Sequence, residues 1–337
     1  MPACVIEETG MEMMELWDGR SVPRIGIGTW AAGGAARWRD TATIYGEVDD
    51  IRSQAALAMA YDIGARVFDT AAAYGAGNAE LILGRALKGK DEAVIVTKVG
   101  YFGDPETRKI APEDASAAAI RTSIDNSRQR LQRDFIDVVL LHINEYPIER
   151  AGEVFDTLGL LRQEGKIGGF GWSTDHCERL AAYAPREGFV AVENDFNVFT
   201  PANELMAVAA REHLVSFSRL PLAMGLLTGK YTPAIRLPTD DVRGGNADWM
   251  VFFRDGAANP HYLSRLAAIR DLLTSGGRSL AQGALGWILA KSAIALPVPG
   301  FTRPEQVADN LGALEKGPLP AAVMAEIDAV LKIAETA

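Results

Sequence analysis

The chain has 337 residues, 48% of them hydrophobic, and a formal net charge of −10. That length and apolar content suit one large barrel or two ordinary domains. The acidic surplus excludes a surface that as a whole attracts nucleic acid or an anionic membrane. Cys4 and Cys177 lie far apart, with no C-x-x-C and no His/Cys cluster at metal spacing. They read as free thiols in a reducing compartment, with no metal site. The acidic N-terminus lacks a secretory pattern, and no apolar run reaches the roughly 18 residues of a membrane span. The expectation is a cytoplasmic protein without membrane or nucleic-acid partners; its oligomeric state is not legible.

Residues 14–25 read as a β-hairpin turned by Asp18-Gly19. A glycine-rich strand follows over 25–30. Gly26, Gly28 and Ala31 imitate part of a dinucleotide fingerprint, but no helix pattern opens after them. The glycines are expected to admit a ligand close to the backbone.

From residue 50 strands and helices alternate. Helices are expected over 50–61, stopped by Gly64, and from an Asn78 cap to 87. A third starts at Pro112-Glu113-Asp114 and runs to 131. Others cover 148–163, 178–183, 203–213, 262–275, 280–291, 304–314 and 320–333. Strands are expected over 66–69, 93–98, 136–142, 167–172, 190–194, 214–220 and 293–297. The 136–142 strand is apolar on both faces, as in a buried parallel sheet. The aperiodic stretch 221–260 is too long for a simple connection and reads as a functional loop.

Eight strands separated by helices predict a (β/α)8 barrel, with residues 1–337 as a single domain. A doubly wound open sheet is the rival, but its early glycine-rich phosphate turn is missing.

In a barrel the carboxyl ends of the strands share one face. Three strands end in Asp69, Lys98 and His142, and Tyr74 lies on the loop after the first of them. Singly, these residues read as a turn cap, a solvated strand end, a half-buried histidine and loop packing. As a set they suit carbonyl reduction. A tyrosine, with a pKa of about 10, is a reluctant acid at neutral pH, and a neighbouring ammonium eases its proton transfer. Lys98 would supply that charge, held by Asp69, while His142 would orient the carbonyl oxygen or relay the proton. Two later segments suit a phosphorylated cofactor. Residues 221–230, PLAMGLLTGK, offer spaced backbone N–H groups and Lys230. Residues 299–306 lead into a helix N-terminus, with Arg303 placed for a 2′-phosphate.

FDTAAAYG, the Thr97-Lys98 strand end, LLH, PLAMGLLTGKY and PVPGFTRPEQVADN occur in the order seen in aldo-keto reductases. The chain resembles that family nearly throughout, and its bacterial aldehyde- and sugar-type branches most. The resemblance implies NADPH/NADP+ as cofactor, a small-molecule carbonyl or alcohol as substrate, and the tetrad Asp69, Tyr74, Lys98 and His142. It also implies cofactor contacts at Ser173 and Thr174, at Glu193 and Arg219, and at Leu222, Gly225, Leu227, Gly229 and Lys230. Gly300, Thr302, Arg303, Gln306 and Asn310 complete them. Thr174 stands where the family usually has Asn, Glu193 where Gln is usual, and Arg219 where many members stack an aromatic ring. An ionised Glu193 cannot donate a hydrogen bond, whereas an Arg plane can still stack. Among loop aromatics, Trp30, Phe102, Trp249 and Phe253 are expected at the substrate pocket, with Trp172 and Phe252 nearby. Two further readings remain: a sugar or secondary-alcohol dehydrogenase on the same site, and a cofactor-binding regulatory subunit resembling channel β-subunits.

Overall fold

A computed structural model describes residues 4–6, 12–38, 41–42, 45–46 and 48–336. Eight parallel strands, Ile27–Gly28, Val67–Asp69, Val94–Val99, Ile136–Leu141, Ile167–Ser173, Phe189–Asp195, Val215–Arg219 and Ala295–Pro297, neighbour one another in chain order. Gly26 N donates to Pro297 O at 2.9 Å and Gly28 N to Pro299 O at 3.0 Å, which joins the last strand to the first. The result is the expected (β/α)8 barrel. The first strand is shorter than the glycine-rich 25–30 stretch suggests. A Cβ on Gly26 would meet Val67 O at 2.8 Å, and one on Gly28 would meet Val298 O at 2.6 Å. Both glycines therefore admit neighbouring barrel backbone, and Gly28 also lines the cleft described below.

Side-chain alternation sorts the strands into two layers. Val67, Val94, Val96, Val138, Leu140, Ala191, Val215, Phe217 and Leu296 fill the barrel. Phe68, Ile95, Val139, Leu141 and Val192 point out to the helices. Met14, Leu16 and Val22 of the N-terminal ribbon pack into the inner layer and plug it. That ribbon has three strands, Cys4–Ile6, Glu12–Glu15 and Ser21–Pro23, rather than two. The Asp18-Gly19 turn is present, with Asp18 Oδ1 accepting from Arg20 N at 3.1 Å.

Two helix starts differ from the sequence reading. The third helix is Ala117–Leu131, capped by Ser116, because Asp114 N is held extended by Gly100 O at 2.9 Å. Asn78 opens the helix Asn78–Ala86 but does not cap it. Its amide instead donates to Gly33 O and Asp50 Oδ1, both at 3.0 Å, tying the 3-10 segment Ala31–Gly33 and the start of the helix Asp50–Asp62 to its own helix. The long 221–260 connection holds the 3-10 segment Ala223–Thr228 and a small ribbon, Phe253–Arg254 with Ala257–Ala258. Among the described residues no helix is long and apolar enough to cross a membrane.

Candidate active site

The same alternation that fills the barrel delivers the chemistry. Positions 67, 94, 96, 138, 140, 191, 215 and 217 face inward, so Asp69, Lys98, His142, Glu193 and Arg219 continue the inward set at the carboxyl ends. Lys98 is 1% exposed and Asp69 3%, a depth at which charges must be paired. Lys98 Nζ donates to Asp69 Oδ1 at 2.5 Å, to Thr70 O at 3.0 Å and to Tyr74 Oη at 3.1 Å. These three contacts occupy every N–H of the ammonium. An ammonium only donates, so the Tyr74 hydroxyl accepts from Lys98 and keeps its own proton for another partner. The His142 ring stands edge-on to Tyr74, with centroids 5.7 Å apart.

Electrostatics follow from burial. Burial raises the Tyr74 phenol above its ordinary value against the pull of Lys98, so it is protonated at neutral pH. Burial would lower Lys98, but the Asp69 and Glu193 carboxylates outweigh it and the ammonium stays charged. Burial, then the Glu193 charge, push Asp69 up to about 7 against the pull of Lys98. Burial, with Lys98 and Arg219 nearby, holds His142 well below the usual histidine range, and the ring is neutral.

Glu193 is 1% exposed and its Oε2 lies 3.1 Å from Lys98 Nζ. Neither of its oxygens accepts a hydrogen bond, because the Lys98 protons are directed elsewhere. Arg219 Nε donates to Asp195 Oδ1 at 2.7 Å, Nη2 to Asp175 Oδ2 at 2.5 Å and Nη1 to Ser173 Oγ at 3.2 Å. The guanidinium is thus fixed between two carboxylates.

A cleft of about 430 Å³ runs from Tyr74, Asp69 and Glu193 to Arg303 and Asn310, within the range of small-molecule sites. Of the expected cofactor residues, Glu193, Arg219, Leu222, Gly225, Lys230, Gly300, Thr302, Arg303, Gln306 and Asn310 line it. Leu220, Ala223 and Met224 take left-handed backbone conformations, sharp non-glycine turns of the kind that cluster at ligand clamps. Four expected residues do not line the cleft. Ser173 is turned to Arg219. Thr174 Oγ1 donates to Asn144 O at 2.9 Å. Leu227 is buried in the helical layer, and Gly229 ends the 3-10 segment with φ +75.

The aromatic expectations divide. Trp30 lines the cleft and stacks on Tyr74 with centroids 6.0 Å apart. Trp249, 53% exposed, adjoins Trp30 at 6.2 Å. Phe102 is half-buried and does not line the cleft. Phe253 is fully buried against Tyr231, because its ribbon turns it inward. Phe252 packs on Phe199 and Tyr262. Trp172 has outward parity and lies between Phe155 and Tyr183. Tyr45, Arg243 and Asp309 line the cleft without having been expected. Arg243 is held by Asp241 at 2.8 and 2.7 Å, donates to the Tyr231 hydroxyl and covers the Tyr45 ring. Its only local signal is an Asp-x-Arg spacing in an aperiodic loop.

The barrel, its buried Asp–Lys–Tyr cluster and the long cleft beside it define a barrel oxidoreductase. Residues 24–332 match the Aldo/keto reductase family, and the chain belongs to it. It is 29% identical over 309 residues to the aldo-keto reductase YhdN of Bacillus subtilis, covering 88% of this chain and 87% of that one. It is also 29% identical to the NADH-specific methylglyoxal reductase of Escherichia coli, covering 87% and 90%. The glycerol dehydrogenase structure from Gluconobacter oxydans superposes with a TM-score of 0.77 at 26% identity, covering 95% and 94%. The family is one of NAD(P)-dependent oxidoreductases, and this chain is such an enzyme.

The residues present fit a nicotinamide dinucleotide. Lys230 and Arg303 line the distal cleft, and neither forms an ion pair among the described residues. Partial burial, then Arg243 and Arg303, push Lys230 below the usual lysine range. Unpaired, mutually repelling cations on a cleft wall call for an anion.

Proposed function

We propose that this enzyme reduces an aldehyde or ketone to its alcohol with NADPH, Tyr74 donating the proton. The observation that carries the reading is the Lys98 Nζ to Tyr74 Oη hydrogen bond of 3.1 Å. It leaves the phenol proton available to a carbonyl oxygen. When bound, the cofactor supplies hydride to the carbonyl carbon. Tyr74 gives its proton to the developing alkoxide, and the phenolate left behind is stabilised by Lys98. Asp69 holds Lys98 in place. Neutral His142 orients the carbonyl oxygen, and Trp30, stacked on Tyr74, walls the substrate side. Thr302, Arg303, Gln306 and Asn310 would hold the adenosine end, with Lys230 and Arg303 on a 2′-phosphate. Gln306 Oε1 now accepts from Thr302 N at 2.8 Å and Arg303 N at 3.1 Å, so it also shapes that turn. The likeness to a glycerol dehydrogenase supports a second reading, alcohol oxidation on the same residues.

The test follows nicotinamide absorbance with aldehydes, ketones and polyols, in both directions, for wild type and Tyr74→Phe. The expected result is NADPH-dependent reduction that falls about 10²–10⁴-fold in Tyr74→Phe with cofactor binding kept. Faster alcohol oxidation would favour the second reading. Undiminished activity in Tyr74→Phe would remove the acid from Tyr74.

A further inference from the structure

Glu193 stands out among the buried charges of the site. Asp69 and Glu193 both approach Lys98, at 2.5 and 3.1 Å, so two carboxylates face one ammonium. Arg219 does not balance the surplus, because it is itself held by Asp195 and Asp175. The ring of groups thus holds four carboxylates against two cations. Both Glu193 oxygens lack a hydrogen-bond donor, although the residue lines the cleft next to Asp69 and Arg219. A buried carboxylate without a donor is costly on its own, and it is stabilised by positive charge brought in from outside.

We infer that Glu193 makes this site discriminate between the redox states of its nicotinamide cofactor, binding the cationic oxidised form more tightly than the neutral reduced form. The inference rests on the cofactor reading above. The physical reason is the Coulomb term between the Glu193 carboxylate and the nicotinium ring, which a neutral amide at 193 lacks. A tenfold preference for the oxidised form lowers the potential of the bound two-electron couple by about 30 mV. Bound NADPH becomes the stronger hydride donor, which suits carbonyl reduction, and NADP+ leaves more slowly.

The experiment is equilibrium binding of NADP+ and of NADPH, each alone, to wild type and Glu193→Gln, read by tryptophan fluorescence. Glu193→Gln is expected to weaken NADP+ about tenfold while changing NADPH less than about twofold. Equal changes for both forms, or none, would overturn the inference while leaving the cofactor reading intact. Binding of neither form to the wild type would overturn both. Should Glu193→Gln not fold, the wild type alone carries the test: NADP+ is expected to bind more tightly than NADPH, and NADPH binding as tightly as NADP+ or more tightly would overturn the inference.

Discussion

Lys98 and Tyr74 share a hydrogen bond of 3.1 Å in which the lysine donates, and the same ammonium lies 4.7 Å from the centre of the Tyr74 ring. The lysine neutralises buried carboxylates, and in the proposed mechanism it would also stabilise the phenolate. Lys98→Met keeps the side-chain length and deletes the charge. It should destabilise the fold by about 3–5 kcal/mol, because Asp69 and Glu193 are left buried without their cation. Activity should fall with it. Urea unfolding checks the first effect. Stability within 1 kcal/mol or so of wild type would mean that the carboxylates take up protons at little cost.

His142 is held neutral, and the sign of its effect on stability follows. Its folded-state pKa is depressed, so its contribution is fully present above the unfolded value of about 6.5. That contribution is lost as pH falls from there toward the folded value, by about 1.4 kcal/mol per pH unit. His142→Asn should lack this component. The stability difference between wild type and variant, from urea unfolding at pH 7.5 and 5, should therefore shift against wild type in acid. A difference independent of pH would mean that the folded ring accepts the proton.

Arg303 and Lys230 bear on the choice between phosphorylated and unphosphorylated cofactor. One relative is named NADH-specific. Arg303→Ala should weaken NADPH by about 1.5–3 kcal/mol, the loss of hydrogen bonds to a charged group, and leave NADH nearly unchanged. Separate binding titrations with the two nucleotides decide it. Equal losses would place Arg303 on the part of the molecule that both share.

Trp249 and Phe253 belong to one loop and should respond oppositely to removal. Trp249 is 53% exposed beside Trp30, so Trp249→Ala should alter relative kcat/KM among carbonyl substrates with little change in Tm. Phe253 is fully buried against Tyr231 and beneath Arg243. Phe253→Ala should cost about 3–5 kcal/mol and disturb the Arg243 side of the cleft. Thermal melts and a substrate panel on both variants separate the two roles.

The eight β/α units were legible in the sequence because buried parallel strands read as short apolar runs between amphipathic segments. Val94-Ile95-Val96 and Val138-Val139-Leu140-Leu141 need no partner information to be recognised. Strand-end polar residues on such runs also announce a site, since a barrel gathers those ends on one face. What the sequence could not decide was direction and distance. Trp172 and Ser173 are neighbours in the chain, yet strand parity turns the tryptophan into the helical layer and the serine toward Arg219. The loop over 221–260 carries no period, so only packing could send Phe253 inward and bring Arg243 over Tyr45. The chain order names Asp69, Lys98 and Glu193 as polar ends of separate strands. Only tertiary structure sets two carboxylates around one ammonium that donates to Asp69 but not to Glu193, because that arrangement depends on ångström-scale geometry among strand ends that lie far apart in the chain.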